Sequence, residues 1–280
     1  DNSSKPYGDL FGNSNGSWSY DETSNTLTLV DGTFRLRNYG YDSYNNCIQW
    51  NVKIEPSATL QEARIGSEYH NGYTVTNAGT ISGGTFYGKV ICEAGAVSGG
   101  TFKGNAIVNA AGGKVTIEDG TFEEGSYTSG VTVKAAGTLT INGGTFKGKR
   151  TCSVDIDNCE KIVINGGSFE SSLTDLKRTT ETIINGGLFN DKLYVAEDKC
   201  TVNGGLFTTE DDPLPEDATV NGGYFVTDRD GLVAIDAASA PVYAPVAVAA
   251  DGTVNEWSAD TYSTLYVAPN TSVTLKPTRK

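Results

Sequence analysis

The sequence contains no methionine, a single histidine, and no apolar run near the roughly 18 residues that a membrane span requires. Without methionine the chain is not expected to begin at a translation start. It is therefore expected to be a processed piece of a longer protein, with removal of a secretory signal the favoured cause, and its first residues, DNSSKPYG, carry no apolar signal core. With His70 alone, a multi-histidine metal site is excluded, and any serine or cysteine triad would have to be built on that residue. Its setting, Ser67-Glu68-Tyr69-His70-Asn71-Gly72, reads as a solvated turn. Basic residues are scarce: 21 Lys plus Arg against 34 Asp plus Glu give a net charge of -13, which argues against nucleic acid as a partner. Helical spacing of apolar residues is absent as well, although 38% hydrophobic content is enough for a core and excludes a disordered chain.

The five cysteines, Cys47, Cys92, Cys152, Cys159 and Cys200, match neither a zinc ribbon nor a CxxC redox motif, and their odd number leaves at least one unpaired. If the chain from Cys152 to Cys159 is extended, its ends lie roughly 20 Å apart, so a local bridge there would need a sharp bend.

What is present is a repeat. ISGGTF from Ile81 returns as VSGGTF, IEDGTF, INGGTF, INGGSF, INGGLF, VNGGLF and VNGGYF, the last from Val220, with VDGTF from Val30 as a degenerate early copy. Nine of the 10 phenylalanines occupy this one position: Phe34, Phe86, Phe102, Phe122, Phe146, Phe169, Phe189, Phe207 and Phe225. From Phe86 onward the steps are 16, 20, 24, 23, 20, 18 and 18 residues, so the motif is constant while the loops between copies vary. Within a copy the apolar residues alternate, as in Val131, Val133, Leu139, Ile141 and Phe146, which is the period of a strand with one buried face. Small-residue corners at Ala135-Ala136-Gly137 and Gly143-Gly144 divide it into about three short strands. So small a unit cannot bury its own apolar face. The spacing predicts a parallel β-helix, coils stacked about 4.8 Å apart with the phenylalanines in an internal column.

Over Val30 to Phe225 the phrase resembles right-handed parallel β-helix proteins of the pectin-lyase-like fold, in the GGTF-repeat form found on surface proteins of Gram-positive gut bacteria. The resemblance implies an all-β, right-handed solenoid; the strict six-residue period of left-handed helices is absent. Solenoid ends must be covered, so residues 1–30 are expected to form an N-terminal cap, 31–227 the coils, and 228–280 a C-terminal β cap, all one continuous domain. The first cap contains a hairpin-like stretch, Trp18-Ser19-Tyr20 and Thr26 to Leu29 around a turn at Asp21 to Asn25.

Candidate chemistry is sparse. Asn142, Asn165, Asn185, Asn203 and Asn221 precede the glycine pair in five successive coils and should stack as an amide ladder, with ligand contact the other reading. Gly83 to Lys89 and Gly143 to Lys149 nearly match a phosphate-binding loop, but Val90 and Arg150 stand where a magnesium-binding Ser or Thr is needed. Asp228-Arg229-Asp230-Gly231 and Glu210-Asp211-Asp212 offer oxygen ligands for calcium, with solvated acidic turns the default reading, and no cofactor is expected. Tyr39, Tyr41, Tyr44 and Trp50, with Tyr69 and Tyr73 nearby, could stack on sugar rings or pack the N-terminal cap. Aligning the coils on their glycine pairs puts Thr132 beside Asp155 and Lys134 beside Asp157. Both aspartates then point outward, about 6.6–7 Å apart, with Lys134 as the nearest base or counter-charge.

The expected function is a secreted or cell-surface, non-catalytic module for adhesion or carbohydrate binding, its partner a polysaccharide or a host or cell-surface glycan. A rigid stalk displaying other domains overlaps with that reading. The resemblance also implies the alternative, a polysaccharide lyase or glycoside hydrolase. Such enzymes build a deep groove from long loops, whereas loops such as Phe86-Tyr87-Gly88-Lys89 are short; Asp155, Asp157 and Lys134 would then be the catalytic set.

Overall fold

The computed structural model describes residues 15–36, 48, 50–67, 72–103, 106–109, 112–123, 131–133, 136–148, 153–156, 159–171, 173–175, 179–195, 199–209, 211–226, 233–236, 243–248, 254–256, 264–267 and 274–277. Among them there is no helix. The strands form a parallel β-solenoid of about seven turns.

One coil shows how the sequence makes it. Val131–Val133, Ala136–Ile141 and Thr145–Lys147 are its three strands, so the second strand already begins within the expected Ala135-Ala136-Gly137 corner. Val131, Val133, Leu139, Ile141 and Phe146 all point inward and are 0% exposed, while the threonines between them face out. The next coil repeats this in register, Val131 opposite Val154, Leu139 opposite Ile162 and Phe146 opposite Phe169. Apolar burial fixes that register, because a slip of one residue would turn every inward side chain to solvent.

The two glycines of the repeat serve different ends. At Gly144 φ is +100°, a conformation closed to most side chains. At Gly143 φ is ordinary, but a Cβ would lie 2.5 Å from the Glu118 carbonyl oxygen of the preceding coil. The first glycine allows close approach of coils, and the second allows the turn.

Eight phenylalanines, Phe86 to Phe225, stack as expected, with ring centroids 4.7–5.0 Å apart and planes within 12° of parallel. Backbone pairing sets that separation. Parallel rings so far apart must be slipped sideways to stay in contact, which is the favourable offset geometry. Phe34 does not belong to this column. It pairs with Leu60, and Leu60 with Ile81, which places Phe34 one strand earlier in its coil; the residue above Phe86 is Ile65. VDGTF resembles the repeat phrase but occupies a different part of the turn.

At the N-terminal end, Asn15–Asp21 runs antiparallel to Thr26–Arg35, with Trp18 opposite Leu29, Tyr20 opposite Leu27, and Asn25 in the turn at φ 50°. Hydrogen bonds from the Ser24 hydroxyl and the Thr23 amide hold the Asp21 carboxyl below the usual carboxylate range. Thr26–Arg35 pairs in parallel with Asn51–Glu62 on its other edge. At the far end Thr264–Val267 pairs antiparallel with both Tyr224–Phe225 and Val233–Asp236. Tyr243–Val248 joins Val254–Glu256 and Thr274–Pro277 in a separate antiparallel sheet.

Cys200 faces inward, 3% exposed, in the column of Leu139, Ile162 and Thr182, as its spacing from Val202 requires. Thr182 is the misfit of that column: its Oγ1 is buried and has no hydrogen-bond partner among the described residues. Cys92 sits between Asn77 and Val108, and burial pushes its thiol up to about 12, with the Asn77 amide opposing the shift. The neutral thiol is the folded form. Its stabilising effect is complete below the ordinary value of 9.0 and is lost as pH rises through about 12. We therefore expect Cys92 and Cys200 to resist iodoacetamide at mildly alkaline pH in the folded chain and to react on denaturation, read peptide by peptide by mass spectrometry. Rapid labelling of either in the native state would contradict the inward placement.

Candidate functional site

Of the three residues in the expected carboxylate patch, Asp155 can be placed. It faces out from Val154–Ile156 between two fully buried neighbours, with Thr132 on one side, as the coil alignment requires, and Thr174 on the other. Asp157 and Lys134 lie outside the described residues, as do Tyr39, Tyr41, Tyr44, His70, Glu210 and the segment Asp228 to Gly231. Trp50 is half-buried against the core, its ring 5.2 Å from Tyr20 and inclined at 49°. Asp211 and Asp212 are exposed, and Asp212 Oδ1 accepts from the Leu214 amide at 3.2 Å. Among the described residues no three His, Cys, Asp or Glu side chains are grouped to hold a metal ion. Gly83 and Gly143, the first glycines of the two near-phosphate-loop matches, both lie at sheet corners.

The amide ladder forms. Asn165 Nδ2 donates to Asn142 Oδ1 at 2.8 Å, Asn185 to Asn165 at 2.8 Å, Asn203 to Asn185 at 2.9 Å and Asn221 to Asn203 at 3.0 Å. All the amides point the same way, so their dipoles add. At the donor end Asn142 Nδ2 gives its hydrogen bond to Glu118 Oε2 at 2.8 Å, a carboxylate placed where a charge-assisted bond is strongest. Glu118 occupies the asparagine position of the IEDGTF coil. Its role as the ladder's anionic end escapes sequence reasoning, although that coil's departure from Asn-Gly-Gly marks it.

Sequence reasoning also overlooks the outer face of the second sheet. Thr33, Thr59, Thr80, Ala96, Thr116, Thr140, Val163, Ile183, Thr201 and Thr219 follow one another in register from strand to strand. The signal is in the repeat itself, as the residue just before each inward Ile or Val of the phrase. The file is bordered on one side by Lys114, Thr138, Lys161 and Glu181, with Lys161 Nζ 2.6 Å from Glu181 Oε2, and on the other by the amide ladder. Ion pairs this exposed contribute roughly 0–1 kcal/mol each, so they order the surface more than they stabilise the fold.

Around the next corner a second file precedes the phenylalanines: Arg64, Thr85, Thr101, Thr121, Thr145 and Ser168, giving way to Leu188, Leu206 and Tyr224. Beside it the Tyr87 ring lies under two cations, with Arg64 Cζ 5.4 Å and Lys103 Nζ 5.7 Å from its centroid. These surfaces offer hydroxyls, methyls and amides at one-coil intervals on flat sheet. Such a surface is chemically suited to contact along a length rather than to reaction at a point. No protein-family model matches the chain, and neither a curated protein nor a solved structure matches it.

Proposed function

We propose that the chain is a non-catalytic module of a secreted or cell-surface protein that adheres to carbohydrate through the outer face of its second sheet. The observation that carries this reading is the outward file from Thr33 to Thr219, in which threonine holds every position except Ala96, Val163 and Ile183. A threonine presents a hydroxyl and a methyl together, which is also what the edge of a sugar ring presents. Spaced about 4.8 Å apart within the runs Thr33-Thr59-Thr80, Thr116-Thr140 and Thr201-Thr219, that pair suits a ligand that itself repeats along its length. The net charge of -13 favours a neutral glycan over an acidic one. The resemblance of the repeat phrase to surface-protein repeats of the pectin-lyase-like group supports the extracellular setting and a right-handed coil.

The test exposes the chain to a glycan array and to insoluble polysaccharides, with reducing ends assayed in parallel. Retention on at least one polysaccharide without release of reducing ends is expected. The double variant Thr116→Lys with Thr140→Glu, which replaces two neighbouring hydroxyl-methyl units by a charge pair, should weaken that retention by about tenfold or more at an unchanged thermal midpoint. Cleavage would overturn the non-catalytic reading, undiminished binding by the variant would overturn the assignment to this face, and binding to no polysaccharide would overturn the proposal as a whole.

A further inference from the structure

The five ladder asparagines share a property that the ladder does not require: each is followed by two glycines, from Asn142-Gly143-Gly144 to Asn221-Gly222-Gly223. Asparagine is a thermally labile residue, and a following glycine leaves its side chain open to attack by the next backbone nitrogen. In that reaction the glycine nitrogen bonds to the asparagine Cγ and loses its proton, Nδ2 departs as ammonia, and a five-membered succinimide remains. Water then opens the ring to aspartate or isoaspartate, with no oxidant or cofactor involved.

For the reaction to begin, Cγ must leave its ladder position and swing toward the glycine nitrogen. At Asn165, Asn185 and Asn203 that motion breaks two amide bonds, one given and one received. Asn142 is held by two as well, through Glu118 and Asn165. Asn221 is held by one: its Nδ2 donates to Asn203, and among the described residues nothing donates to its Oδ1. Asn185 and Asn221 make a matched pair. Gly186 N donates to Ile164 O at 3.4 Å and Gly222 N to Val202 O at 3.2 Å, so the attacking nitrogens are held alike. The difference lies in the side chains, Asn185 half-buried with two ladder bonds and Asn221 exposed with one.

We propose that Asn221 is a site of spontaneous deamidation, and that the ladder ages from this end toward the N-terminus. A carboxylate at position 221 cannot donate to Asn203 Oδ1, so conversion leaves Asn203 as the new end, held by its single bond to Asn185. Isoaspartate also lengthens the backbone by a methylene at a corner with no spare room, where even a Cβ on Gly222 would lie 2.9 Å from the Asn203 carbonyl carbon. Each event adds a negative charge to a chain already at -13.

The experiment incubates the folded chain in mildly alkaline buffer and follows deamidation at each asparagine by peptide mapping and mass spectrometry, with isoaspartate assayed separately. The unfolded chain, in which all five share the same Asn-Gly-Gly sequence, sets the common reference rate. Of the five ladder asparagines in the folded chain, Asn221 should convert first, roughly two- to tenfold faster than Asn185, the factor that one amide hydrogen bond supplies. In the variant Asn221→Ser, with an unchanged circular dichroism spectrum, the initial rate at Asn203 should rise by a similar factor. Equal rates at Asn185 and Asn221 in the folded chain, or an Asn203 rate indifferent to the variant, would overturn the proposal.

Discussion

Replacing Phe146 with alanine is expected to cost about 3–5 kcal/mol of unfolding free energy, the range for truncating a fully buried aromatic side chain. Phe146 is 0% exposed and lies between Phe122 at 4.9 Å and Phe169 at 4.8 Å, both rings within 4° of parallel to its own. The void it leaves cannot close by settling of the coils, because the parallel backbone ladder holds Phe122 and Phe169 at fixed positions on either side. Most of the transfer and cavity cost therefore remains. Reversible denaturant unfolding measures it, and a loss below about 1 kcal/mol would mean that the phenylalanine column is not the core. A solenoid couples each coil mainly to its neighbours, so hydrogen exchange should accelerate most in the strands flanking residue 146.

Gly95→Ala should be comparably damaging for a different reason. Gly95 has φ +81°, and a Cβ there would run into the carbonyl oxygen of Gly79 and lie 2.7 Å from that of Ala78, both in the neighbouring coil. Gly112, at φ +69°, has the same backbone demand, but its Cβ would meet nothing within 4 Å. Alanine at residue 112 carries the left-handed strain alone, roughly 1–2 kcal/mol. At residue 95 the coils must also part, for a total of about 3 kcal/mol or more. The gap between the two variants in the same unfolding assay isolates the cost of close coil approach, and equal losses would mean that the neighbouring backbone yields freely.

Thr132, Asp155 and Thr174 share a strand position in three successive coils, and Thr116 and Thr140 share one in two successive coils on the adjacent sheet. A solenoid distributes equivalent positions along its axis, whereas a catalytic cleft requires loops that fold back over one of them.

The alternation of apolar and polar residues determined, from the sequence alone, which side chains face inward. Val154 and Ile156 are buried with Asp155 facing out, Cys200 lies beneath its strand, and the ladder asparagines align. These follow because a strand turns each successive side chain to the opposite face, and because burying the apolar face admits one register. Only the tertiary structure decided which distant residues become neighbours. VDGTF and ISGGTF read alike, yet Phe34 stacks above Leu60 while Phe86 heads the aromatic column, because a residue's column depends on how many residues its coil spends on corners and loops. Glu118 as the anionic end of the ladder, and the threonine-rich file from Thr33 to Thr219, arise in the same way. Local pattern sets the direction in which a side chain points, and the stacking of coils of unequal length sets what lies next to it.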